Sequence, residues 1–130
     1  MSKPVLLIDD EEDSRSAMAE SLRSRGHAVI EKGNGREALD YLLSGSAEQP
    51  GCILLDLAMP VMSGWEFIAI VKSYHRLGRI PIVVVSGREV PEEARRHGVI
   101  DNFVEKPHDP DELAAIVSTA LRESTRFRRA

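Results

Sequence analysis

Short aliphatic runs recur along the chain at residues 4–9, 27–32, 52–57, 80–86 and 102–106. Between them lie helix-like segments at about 13–25, 35–45, 63–76, 91–98 and 109–123, and in all but the fourth apolar residues return every three or four positions. The runs Val5-Leu6-Leu7-Ile8, Cys52-Ile53-Leu54-Leu55 and Ile82-Val83-Val84-Val85 lack polar alternation, so neither face of those strands is expected to meet water. Strand and helix patterns therefore alternate through five βα repeats. That order predicts an α/β protein in which helices cover both faces of a parallel sheet and right-handed crossovers join the strands.

Polar residues at the element ends support these boundaries. Gly26 stands where the first helix would stop, after a semi-apolar face of Ala17, Met18, Ser21 and Leu22. Asn34 is placed to cap the second helix, in which Ala38, Leu39 and Leu42 recur at helical spacing. Ser63 opens the third; Gly64, Phe67, Ile68 and Val71 form its inward face, with Trp65 beside it. The fifth begins Asp109-Pro110-Asp111-Glu112, an acidic cap followed by proline at the first helical position, and carries the stripe Leu113, Ile116, Val117, Ala120 and Leu121. The fourth, between Pro91 and Gly98, has little apolar character beyond Val90 and Ala94, which leaves it short and weakly patterned.

A chain of 130 residues forms one domain, expected over 1–123, with a basic C-terminal tail over 124–130. The hydrophobic fraction of 42% and charged fraction of 29% are those of a globular protein. Lys+Arg 17 against Asp+Glu 21 gives a net charge of -4, which argues against direct nucleic-acid binding by the surface as a whole. The basic cluster Arg122, Arg126, Arg128 and Arg129 reads as a solvated helix end, with a docking tail for an acidic partner as the alternative. Cys52 is the single cysteine and lies in an apolar strand, so no intrachain disulfide forms and a reduced compartment fits. The apolar runs are too short for membrane insertion and no signal-peptide hydrophobic region precedes the first strand, so a cytoplasmic protein is expected.

Candidate chemistry gathers where strands end. Strand one stops at Asp9-Asp10-Glu11, strand three at Asp56, strand four at Ser86-Gly87 and strand five at Lys106-Pro107. In an open parallel sheet, ligands bind at that carboxyl edge. Clustered carboxylates repel unless a cation offsets them, and an all-oxygen donor set suits Mg²⁺, which keeps waters and leaves room for phosphate oxygens. A carboxylate beside Mg²⁺ can attack a phosphoryl group, while Ser86 supplies a hydrogen bond and Lys106 a positive charge to its oxygens. His27, His75, His97 and His108 are scattered and read as surface or packing residues, not zinc ligands. Taken singly, each residue has a plainer reading: helix cap, acidic first turn, simple turn or solvated strand end.

The set Asp9-Asp10, Asp56 with Met59-Pro60 and Gly64, Ser86, and Lys106-Pro107 closely resembles the receiver domains of two-component response regulators over about residues 4–123. The resemblance implies a flavodoxin-like, doubly wound five-stranded sheet of order 2-1-3-4-5. It implies Asp56 as phospho-acceptor, Asp9 and Asp10 as Mg²⁺ ligands with the backbone carbonyl of Ala58, and Ser86 and Lys106 as partners of the phosphoryl group. It also implies a switch in which Ser86 moves inward and Phe103 rotates into the space released; Phe103 equally reads as a core residue of strand five. The fourth helix, fifth strand and fifth helix would form the readout face. Ala58 and Arg88, two residues after Asp56 and Ser86, depart from common family residues and are expected to tune phosphoryl lifetime. The interval from Ser86 to Lys106 is shorter than usual, and the loss falls in the fourth helix.

These features lead to a single-domain regulator that takes its phosphoryl group from a histidine kinase or histidine phosphotransfer protein and then binds a downstream protein. Its only catalysis would be its own phosphorylation and dephosphorylation. A phosphorylation-linked dimer is a further expectation. The alternatives are a fragment of a larger regulator or hybrid histidine kinase, a phosphorelay intermediate, and a receiver-like scaffold that is never phosphorylated. A phosphohydrolase of the haloacid dehalogenase type would need a second acid where Ala58 stands.

Overall fold

In a computed structural model, residues 3–45, 48–57, 62–87, 102–105 and 109–129 are described. Strands β1 (Val5–Ile8), β2 (Val29–Lys32), β3 (Cys52–Asp56), β4 (Ile82–Ser86) and β5 (Asn102–Glu105) form one parallel sheet in the order β2-β1-β3-β4-β5. Around it lie α1 (Glu12–Ser24), α2 (Gly35–Leu43), α3 (Gly64–Ser73) and α4 (Pro110–Arg129), with a 3-10 turn at Leu77–Arg79. This is the flavodoxin-like, doubly wound arrangement that the resemblance implies. The helix expected over 91–98 lies outside the described residues.

Every residue of β1, and Cys52 to Leu55 of β3, is buried, as the unalternating runs require. Successive side chains still go to opposite faces. Leu6, Ile8, Ile53, Leu55 and Val84 pack with Ala38, Leu39, Phe67, Ile68 and Val71 of α2 and α3. Val5, Leu7, Leu54, Val83 and Val85 pack with Met18, Leu22, Leu113, Val117 and Leu121 of α1 and α4. Each fully buried aliphatic side chain contributes about 1.5–3 kcal/mol relative to exposure, and these two layers hold the sheet edge in place.

The expected caps form. Asn34 Oδ1 accepts from the Glu37 amide at 2.9 Å, Ser63 Oγ from Glu66 at 3.1 Å, and Asp109 Oδ1 from Asp111 at 2.9 Å. Gly26, at φ 92°, ends the turn after α1 in a conformation that costs other L-residues strain. At the sheet margin, Arg23 Nη2 donates to the Val29 carbonyl at 2.9 Å, so one acceptor of the outer strand β2 is covered.

Several boundaries differ from expectation. The buried face of α1 is Met18, Ala19 and Leu22, whereas Ala17 is exposed; small Ala and Ser residues carry too little apolar signal to fix the helix phase. Helix α2 ends at Leu43, two residues early. Helix α3 stops at Ser73, not 76, because the chain turns through Leu77–Arg79 and buries Leu77. Conversely, α4 continues to Arg129 past the expected 123, since Ser124 to Arg129 holds no proline or glycine to break it.

Candidate functional site at the carboxyl edge of the sheet

Three adjacent parallel strands in the order β1-β3-β4 end together, and each delivers a polar residue there. Asp9 follows β1 and is fully buried; Asp10 is exposed; Asp56 closes β3 and is half-buried; Ser86 closes β4 and is buried. One carboxylate oxygen from each of Asp9, Asp10 and Asp56 lies within 4.8 Å of the others. Asp56 pairs in register with Val85, so Ser86 stands one residue further along the neighbouring strand.

Backbone and side-chain bonds fix Asp9 closely. Its amide donates to the Lys32 carbonyl at 3.2 Å and its Oδ1 accepts from the Glu11 amide at 2.9 Å, which turns the chain into α1. Its carbonyl accepts from Arg15 Nη1 at 2.9 Å. Arg15 also pairs with Glu31 at 3.4 Å, and Glu31 with Arg23 at 3.0 Å. Sequence reasoning missed Arg15; its signal was a cation three residues before Met18, in phase with the buried stripe of α1.

The chain leaving Asp56 returns tightly. Gly64 donates its amide to the Leu57 carbonyl at 3.0 Å. Met62 lies against Gly35, the first residue of α2, where an added Cβ would stand 3.1 Å from its sulfur. Phe103 is half-buried and packs against the α2–α3 core layer; its register partner is Val84, two residues before Ser86 on the same sheet face. Ala58, Arg88, Lys106 and Pro107 lie outside the described residues.

The donor set fits a hard divalent cation such as Mg²⁺. All three side chains offer oxygen, Asp9 is held rigidly inside, and exposed Asp10 leaves the outer side open to water or to phosphate oxygens. Among the described residues no helix is long and apolar enough to cross a membrane.

Residues 5–118 match the family described as the response regulator receiver domain. The two-component response regulator ORR11 of rice (Oryza sativa subsp. indica) is 33% identical, the alignment covering 90% of this chain and 80% of that protein. The sensor histidine kinase CheAY of Helicobacter pylori is 31% identical over 91% of this chain, which spans only 15% of the kinase. Among solved structures, a response regulator receiver protein from Pseudomonas putida matches with a TM-score of 0.80 and 31% identity, covering 92% of this chain and 98% of that one.

Proposed function

Because the chain belongs to the response regulator receiver domain family, we propose that it is a phosphorylation-controlled binding module with Asp56 as its phospho-acceptor. The donor is a histidine kinase or a histidine phosphotransfer protein. The observation that carries this reading is the meeting of Asp9, Asp10 and Asp56 within 4.8 Å beside the strand end that bears Ser86.

An Asp56 oxygen attacks the phosphorus; a P–O bond forms as the P–N bond to the donor imidazole breaks, and the imidazole leaves with the bonding pair. Asp9, Asp10, Asp56 and the Ala58 carbonyl would hold Mg²⁺, which when bound offsets the charge of the carboxylates and the incoming phosphoryl oxygens. Ser86 donates its hydroxyl to the transferred group and Lys106 pairs with it. Ala58 and Arg88, two residues after Asp56 and Ser86 in the sequence, would tune the lifetime of the acyl phosphate. Drawing Ser86 toward Asp56 opens space on the sheet face it shares with Phe103, and rotation of that ring alters the surface read by the downstream protein. Because phenylalanine has no hydroxyl, the coupling works through packing.

The receiver unit spans 1–123 and is followed by the basic C-terminal segment 124–130, in which the last helix runs on to Arg129. The match to part of a histidine kinase supports a second reading, in which this domain is one module of a larger kinase or an intermediate in a phosphorelay. The length of the native reading frame separates these.

The deciding experiment is intact-mass spectrometry after incubation with Mg²⁺ and acetyl phosphate, beside Asp56→Asn. One phosphoryl group on the wild type and none on the variant is the expected result; an adduct retained by the variant refutes the acceptor. If the wild type takes neither phosphate nor beryllofluoride, the scaffold reading replaces this one.

A further inference from the structure

We propose that Arg15 is a positioning residue for the metal-binding loop, and that through Glu31 it fastens Asp9 to strand β2; the inference rests on the metal role given to Asp9 above. The Arg15 side chain is 19% exposed, an unusual degree of cover for an arginine near the start of a helix. Its three-way setting is specific. Nη1 donates to the Asp9 carbonyl at 2.9 Å, Nε faces Glu31 Oε1 at 3.4 Å, and the guanidinium lies where a Cβ on Gly33 would be 3.4 Å from Nη1. Glu31 is itself held from the far side by Arg23 Nη1 at 3.0 Å, and Arg23 Nη2 is anchored on the Val29 carbonyl at 2.9 Å.

A continuous chain of charge-assisted contacts therefore runs from the outer strand to the backbone of the buried carboxylate. Its last link holds the peptide that joins Asp9 to Asp10, so it orients both carboxylates toward the oxygen of Asp56. A ligand loop fixed before the cation arrives does not lose its freedom on binding, which is how partners behind the ligands strengthen metal sites.

Two effects of removing Arg15 oppose each other. Losing a positive charge near a cation site tightens binding; losing the restraint on the ligands weakens it. The guanidinium acts on the carbonyl side of Asp9, and three carboxylates gather with their oxygens at the site, so the charge effect is the smaller. Loss of a supporting contact costs metal affinity by about tenfold or more.

The test is a calorimetric Mg²⁺ titration of the wild type, Arg15→Gln, Arg15→Lys and Glu31→Gln, with amide hydrogen exchange at Glu11 followed without metal. Arg15→Gln is expected to bind Mg²⁺ about tenfold more weakly and to exchange the Glu11 amide faster. Arg15→Lys, which keeps the charge but reaches one partner at a time, is expected to fall between. Unchanged or tighter Mg²⁺ binding, or unchanged Glu11 exchange, overturns the proposal. Should Arg15→Gln not fold, Glu31→Gln decides it by the same two readouts, since it loosens the anchor and leaves Arg15 in place. If the wild type binds no Mg²⁺, the metal role of Asp9 fails, and Glu11 exchange alone then decides whether Arg15 positions the loop.

Discussion

Gly64 and Leu57 approach so closely that a Cβ on the glycine would stand 2.7 Å from Leu57 Cα and 3.1 Å from the Asp56 carbonyl oxygen. Helix α3 thus begins against the backbone of the residue that ends β3. Both contacts are with main chain, so a side chain there cannot be relieved by a rotamer change.

Gly64→Ala is therefore expected to push α3 from the sheet edge or to displace Asp56, at a cost of about 1–3 kcal/mol. Urea unfolding measures it, and a midpoint equal to the wild type's would show that the loop yields without cost.

Asp56→Asn is expected to act in the other direction. Three carboxylates with oxygens within 4.8 Å repel one another, and neutralising one relieves part of that repulsion. In metal-free buffer the variant should gain about 1 kcal/mol, the exposure of Asp10 having screened the remainder. Millimolar Mg²⁺ should raise the wild-type melting temperature and leave the variant almost unmoved. A variant less stable than wild type without metal would contradict the clustering of charge.

Tyr41 carries a pH dependence of definite sign. Burial raises its phenol above the ordinary value, and the Glu48 carboxylate adds to the shift. The protonated phenol donates to the Glu48 carbonyl oxygen. In alkaline solution the folded state keeps a proton that the unfolded state has released, so stability falls as pH rises. This contribution is complete below the ordinary phenol range and disappears as pH passes the raised value. Unfolding midpoints across the alkaline range should show the decline in wild type and a shallower one in Tyr41→Phe; parallel curves would refute it.

Asn34→Ala should cost about 1 kcal/mol, the usual worth of a helix cap. Asn34 accepts from the Glu37 amide at 2.9 Å while its own side-chain amide donates to Glu37 Oε2 at 3.0 Å. Asn34→Ser, which preserves the acceptor, should recover most of the loss in the same urea assay.

The parallel sheet and the acids at its edge were legible because each rests on local pattern. A buried parallel strand must be continuously apolar, and an acid at its end interrupts the run visibly at Asp9 and Asp56. Caps such as Asn34 and Asp109 were legible for the same reason. Phase was harder: Ala17 and Ala19 are equally small, and only packing against the sheet selects Ala19. Arg15 escaped notice because Glu31 meets it only after β2 is laid beside β1, and its other partner, the Asp9 carbonyl, is main chain that no side-chain pattern marks. Helix α4 passed the expected end because the residues after 123 hold neither proline nor glycine, and the apolar stripe that marked the helix ends at Leu121.

The covering of the Val29 carbonyl by Arg23 also bears on how copies of this chain can meet. An open outer strand invites another strand to extend the sheet, and such growth has no natural limit. Here a neighbour docking along β2 would have to displace a guanidinium bound to both backbone and Glu31, and would then lie beside the charged pair Glu31 and Lys32. That margin is obstructed at Val29 by a side chain that belongs to α1, which disfavours open-ended sheet growth along β2 and favours self-association through other surfaces, where it can stop at a defined number of copies.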